Sequence, residues 1–442
     1  SDLKFFISLF VLVFYFDAAG FTKYSIFVTS MLFLLYLFYK YNKTYLSFMY
    51  ALYISMLLLL PAFFISLNIG VEYSSYNSYS LYALVYIAIY VFITMASYQI
   101  IGLKASKYNP SIFNLYYPTR FDGIGFYKKK LMLLLFLSLI AKIYLNSLGQ
   151  FRMLDDEQSS SIVSYLKVIS QLDLFVMLAI GFHYKNGYHK ELFIFYIFTS
   201  IVVISTGVLG GSRYSVIVVF IVIFFNHFHF FRTKMLLIAP LAIPIMMIFP
   251  ILGLYRNSGY TLGIIESLEL AMNNTDLIAN VMGILLDMMN YLGVVSTVIE
   301  EFKYNSDYLF DYLDNFIAMV PRLAWPDKPI IGIDLNDLGI QLGILAPSNT
   351  NTSIGLTVIG ESFYQLRNFG LIVAIFQGAM FGFLEKIKIT ESLVAYVYYF
   401  YAISLLLFLD SYSYFLPQLI QTSIFLFVFG YFFNKPMSRK DI

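Results

Sequence analysis

The feature that most constrains this chain is a series of long apolar runs, repeated almost end to end. About twelve can be counted, at residues 3–16, 24–39, 44–71, 81–103, 131–148, 166–182, 192–209, 213–230, 235–255, 369–384, 392–409 and 411–433. A hydrocarbon core about 30 Å thick takes roughly 20 apolar residues of helix. A segment in lipid must also satisfy its own backbone polar groups, which leaves helices and excludes open strands. The runs therefore predict an all-α integral membrane protein of about twelve transmembrane helices, residues 1–442 forming one polytopic domain. Composition agrees, since 60% of residues are hydrophobic and 12% charged, where soluble domains carry about 25% charged residues. The absence of cysteine removes disulfide frameworks, thiolate metal sites and cysteine nucleophiles. With 28 basic and 26 acidic residues, charge gives no reason to expect a nucleic-acid partner.

Lysine and arginine set the expected orientation. With the N-terminus in the cytoplasm, Lys40, Lys43, Lys104, Lys107, Lys128, Lys129, Lys130, Lys386 and Lys388 all fall in inner loops, and the stretch from Arg152 to Glu157 is outer and acidic. Both termini are then cytoplasmic. The first run meets Asp17 and no small-residue cleavage site, so no cleavable signal is expected. The four histidines, His183, His189, His227 and His229, fall in inner loops and read as solvated. Lys142 and Asp173 lie inside neighbouring runs at similar depth, and they predict a buried ion pair stapling two helices.

Between the ninth and tenth runs lies one outer loop, residues 255–352, long enough to expect function. Apolar residues at helical spacing over 276–302 predict an amphipathic helix, on the membrane surface or packed on the bundle, and 307–320 a second helix. Pro321, Pro326 and Pro329 then stiffen a loop holding Arg322, Trp325, Asp327 and Lys328.

Several outer residues are candidates for chemistry. Gly210-Gly211-Ser212-Arg213 opens a helix with a guanidinium at its N-terminus, a good anion site; a tight hairpin whose arginine meets a lipid headgroup is the alternative. Arg256 follows the ninth run directly and reads as an anion contact or an interfacial anchor. Arg322 and Lys328 sit on rigid backbone, which lowers the entropy cost of holding an anion; Trp325 docking the loop on the bundle is the other reading. Glu361, with apolar or small residues before it, is the candidate base, because a carboxylate in such surroundings is costly unless paired or used. Arg367, six residues on, is a second anion contact, or pairs with other charges in a re-entrant helix. Asp287, Asp327 and Asp410 are weaker acids on the same side. No outer Asp, Glu or His set has metal-ligand spacing.

Four of these places, in order, resemble the Wzy-type polymerases of O-antigen and oligosaccharide repeat units. They are Gly210-Gly211-Ser212-Arg213, the arginine at 256, the Pro321–Pro329 loop with its tryptophan and lysine, and the run from Gly355 to Gly370 that contains Glu361. The resemblance implies a GT-C-like fold and a bacterial inner-membrane enzyme with its site on the periplasmic face. The reaction implied is that of a metal-independent glycosyltransferase without cofactor. It moves a growing glycan from undecaprenyl pyrophosphate to the non-reducing end of an incoming lipid-linked unit. Arg213 and Arg322, with Glu361, would be catalytic, and Arg256, Lys328, Arg367, Trp325 and Asp327 would bind substrate. Membrane lipid, a flippase and a chain-length regulator are the partners implied. The similar O-antigen ligases use an outer histidine, which this chain lacks. The main rival is a flippase or exporter of lipid-linked oligosaccharide, against which stand the interfacial position of the ionisable groups and the lack of a visible repeat.

Overall fold

In the computed structural model of the chain, the described residues are 22–42, 44–59, 61–62, 80–105, 124–147, 166, 169–170, 172–185, 189–209, 219–220, 222–223, 225–227, 266, 269, 291–305, 325, 335–345, 347, 355–386, 396–397 and 399–400. Among them there is helix and turn and no strand. Helix α1 (Thr22–Asn42) leads into α2 (Tyr45–Ile54). Thr44 begins α2 with a reciprocal cap: its hydroxyl accepts the Ser47 N–H at 3.2 Å while its own N–H donates to Ser47 Oγ at 3.2 Å. A single π-helical turn, Ser55–Leu59, ends this segment. Then come α3 (Leu81–Ala105), α4 (Ile124–Ser147), α5 (Leu172–Lys185) and α6 (His189–Leu209). From the outer-loop region come α7 (Tyr291–Phe302) and the short α8 (Leu335–Gln341). Helix α9 (Thr357–Leu366) passes through a 3-10 turn (Arg367–Gly370) into α10 (Leu371–Lys386).

The α3–α10 pair forms the most extensive helix contact. Tyr82 donates to Asn368 Oδ1 at 2.7 Å, the Tyr86 hydroxyl lies 3.4 Å from the Arg367 carbonyl, and Tyr98 hydrogen-bonds Glu385. Partners advance together along both helices, so the two run parallel. Gly370, Ala374, Gly378 and Gly382, four apart, line one stripe of α10, and small residues at that spacing let helix backbones approach closely. A Cβ at Gly378 would stand 2.1 Å from the Thr94 carbonyl oxygen, so only glycine fits this crossing.

Lys142 of α4 and Asp173 of α5 form the expected buried ion pair. Thr206 of α6 joins it, accepting from Lys142 Nζ at 2.8 Å, so the staple holds three helices rather than two. Asp173 Oδ1 also accepts the Leu174 N–H at 3.0 Å.

The all-α class is observed, but the twelve-span, GT-C-like arrangement is corrected. Among the described residues two helical stretches are long and apolar enough to cross a membrane, Leu81–Ile101 and Thr357–Glu385. The helices α1 and α6 are each 21 residues long, but among the described residues the apolar stretches Ile26–Asn42, Tyr45–Ile54, Leu172–Tyr184 and Leu192–Gly207 run to 10–17 residues, short of the roughly 20 that a crossing takes. The run at 44–71 passes from α to π geometry at Ser55–Leu59, and 63–71 lie outside the described residues. Helix α4 has the length, 24 residues, but carries Lys128, Lys129 and Lys130 near its start and Lys142 near its end. Hydropathy alone cannot separate a span from a helix buried in the chain's own core, and here Tyr45, Phe225, Tyr396, Tyr399 and Phe400 form such an aromatic core. The runs at 3–16, 235–255 and 411–433, and most of those at 213–230 and 392–409, lie outside the described residues. Of the outer-loop helix expected over 276–302, the described part is α7, packed on the bundle; 276–290 and the second expected helix, 307–320, lie outside the described residues.

Candidate functional site

Glu361 is 0% exposed and sits in the middle of α9. Thr357, Glu361 and Gln365, four residues apart, share one face of that helix, and all three are buried. The Gln365 amide donates to Glu361 Oε1 at 3.4 Å. Other faces of α9 serve packing. Gly360 meets Val295 of α7, Tyr364 stacks edge-on against Phe302 at 5.0 Å, and Phe363 meets Tyr86 of α3 at 4.9 Å.

The helix is bracketed by unusual backbone. Thr357 has φ +54° and Arg367 φ +53°, the two non-glycine residues with positive φ among the described residues. A β-branched residue in this region is strained, by about 1–2 kcal/mol. Thr357 begins α9, its hydroxyl accepting the Gly360 N–H at 3.4 Å. Arg367 ends it.

Arg367 is 5% exposed. Its guanidinium donates to the Phe363 carbonyl at 3.3 Å, to the Tyr364 carbonyl, and to the Asn305 carbonyl at 3.2 Å. It also lies over the Phe302 ring, 4.9 Å from its centre. These acceptors are carbonyls of the last turn of α9 and the exit of α7, so the side chain caps a helix C-terminus and ties α9 to α7.

A second charged pair borders this end. Glu300 bonds Lys303, which sits 5.0 Å from the centre of the Tyr304 ring. Burial pushes the Glu300 carboxyl up, but hydrogen bonds from Lys303 and Ser80 and the Lys303 charge outweigh it and leave the group below its ordinary range. The hydrogen bond to Glu300 raises Lys303 in turn.

The structure thus brings Glu361 and Arg367 onto one helical unit, with Arg367 engaged by carbonyls. Trp325 is 41% exposed. Arg213, Arg256, Arg322, Asp327, Lys328, Asp287 and Asp410 lie outside the described residues. His183 corrects the solvated reading: α5 continues through Lys185, and the imidazole is buried in its last turns, edge-on to Phe182 at 5.3 Å. Sequence reasoning gave no role to Thr357 or Gln365. The signal was the four-residue spacing of polar side chains through an otherwise apolar helix. Among the described residues no group of three His, Cys, Asp or Glu side chains could hold a metal ion.

Compared with protein-family models, with curated proteins and with solved structures, the chain matches none.

Proposed function

We propose that this chain is a membrane glycosyltransferase that polymerises oligosaccharide repeat units carried on undecaprenyl pyrophosphate. The observation that carries the reading is Glu361, a fully buried carboxylate near the start of a helical stretch long and apolar enough to cross a membrane. Ionisable groups in such places are costly, and function is their default explanation. The base takes a proton from the non-reducing hydroxyl of the incoming unit. That oxygen bonds to the anomeric carbon of the growing glycan, the anomeric carbon–phosphate oxygen bond breaks, and undecaprenyl pyrophosphate leaves with the electron pair. Cations must meet that developing charge; Arg213, Arg256, Arg322 and Lys328 are assigned this role from their sequence motifs.

A bilayer setting is supported by large apolar side chains exposed on α3, α4, α6 and α10, among them Phe92, Phe136, Ile194 and Phe376. Orientation is supported by the parallel α3–α10 pair. The end marked by Tyr98 and Glu385 adjoins Thr44, which hydrogen-bonds Tyr98 at 3.2 Å, and so gathers the lysine-bearing ends of α1, α3 and α10, at Lys40, Lys104 and Lys386. Lysine-rich ends favour the cytoplasmic side, which supports a reading with Glu361 toward the opposite, periplasmic side of a bacterial inner membrane.

The test uses purified protein and the lipid-linked repeat units that accumulate in source cells lacking this chain. Polymer formed without any other enzyme supports the reading. Units moved across vesicles but left at single length indicate a flippase instead.

A further inference from the structure

Arg367 and Gln365 sit where a catalytic carboxylate would need support, and neither is free to do a substrate's work. The Arg367 guanidinium is directed to the carbonyls of Phe363 and Tyr364, the two residues immediately before Gln365, and to the Asn305 carbonyl at the exit of α7. This clamp fixes the turn of α9 from which Gln365 projects. Gln365 is fully buried, and its amide nitrogen reaches Glu361 Oε1, one helical turn back, at 3.4 Å. A donor at that position favours one rotamer of the carboxylate. At the far end of the helix, Thr357 at φ +54° fixes where α9 begins.

We propose that Gln365 is a positioning residue that aims the Glu361 carboxylate, and that Arg367 positions Gln365 by clamping the last turn of α9. This inference rests on the polymerase reading, and it moves Arg367 from substrate contact to support of the base. A positioning residue acts on the transition state more than on binding, since misplacing a reacting group costs far more in rate than in affinity.

The experiment measures kcat and KM for polymerisation with the same lipid-linked units, in Gln365→Met, Gln365→Asn and Glu361→Gln. Methionine keeps the length and loses the donor; asparagine keeps the donor and withdraws it by one methylene. Both Gln365 variants are expected to lower kcat about 10- to 100-fold with KM within about twofold, at an unchanged gel-filtration profile. If methionine does not fold, asparagine alone decides. Wild-type kcat in the folded Gln365 variants, or a change in KM with kcat unchanged, overturns the positioning role. Glu361→Gln separates the two levels. If it polymerises normally, the base assignment fails and this inference with it; if it is inactive while the Gln365 variants are normal, the positioning claim alone falls.

Discussion

Asp173 and Glu361 are both buried carboxylates, yet the chain supports them in different ways. Asp173 sits in the first turn of a regular helix. It takes a lysine from α4, a threonine from α6 and its own neighbour's N–H, so two oxygens meet several donors. Glu361 lies in a ten-residue helix whose ends both leave ordinary backbone geometry. The donors to it include a neutral amide on the same helix. A network like the first is what stability selects, because its charges are matched and its helices unstrained. Strain at both ends of a short polar-faced helix is what a working site tolerates and surrounding packing must hold. On the proposed reading, Asp173 belongs to architecture and Glu361 to chemistry.

That division is open to direct attack. Lys142→Met leaves Asp173 buried without its cation, and breaking such a pair costs about 3–5 kcal/mol. Lys142→Met with Asp173→Leu removes both charges and should regain most of that loss. Chemical unfolding in detergent micelles measures both. Glu361→Gln keeps volume and polarity and should change stability by less than about 1 kcal/mol while abolishing polymerisation. If the two acids exchange these behaviours, the comparison is wrong.

The framework that both regions hang on can be probed next. Gly378→Ala drives a methyl into the Thr94 carbonyl, and overpacking of this kind costs about 1–3 kcal/mol. The melting temperature of the purified protein should fall accordingly, whereas Ala374→Gly on the same stripe creates no clash. Thr357→Gly is the sharper test of strain. Glycine accepts φ +54° without a Cβ penalty, so stability should hold or rise by about 1 kcal/mol. If the constrained start of α9 serves Glu361, polymerisation falls in this variant although the fold does not suffer.

Much of this architecture was legible in the sequence, and the failures share one cause. The helical class followed from apolar runs that only helices can satisfy in lipid. Lys142 and Asp173 were paired from depth alone, and Glu361 stood out as an acid among apolar neighbours. The span count was not legible, because hydropathy reads a run alike whether its helix crosses lipid or is buried against its neighbours, as Met31, Leu35 and Phe38 of α1 are. Nor was the role of Arg367: a guanidinium that caps carbonyls and one that grips phosphate have the same sequence, and only its hydrogen bonds to the Phe363, Tyr364 and Asn305 carbonyls tell them apart. The pattern Thr357, Glu361, Gln365 was visible in the letters. It becomes meaningful only once the segment is known to be helix.

The smallest expected effect concerns the border of the site, where Glu300 and Lys303 pair near the start of α3. Glu300 is held below its ordinary range in the folded chain, so in acid the unfolded chain binds the proton first. Its contribution to stability is complete above the ordinary carboxylate value and is lost as pH falls through the lower folded value. Lys303 is raised, so its contribution is complete below the ordinary lysine value and is lost as pH climbs through the raised folded one. Lys303→Met should therefore flatten the unfolding midpoint on the acid side and on the far alkaline side, and leave it unchanged near neutrality apart from a small offset. An exposed pair of this kind is screened by salt, and the flattening should shrink as ionic strength rises. The Asp173 staple is buried and should not respond to salt in this way, which gives these two charged pairs distinguishable signatures in one titration series.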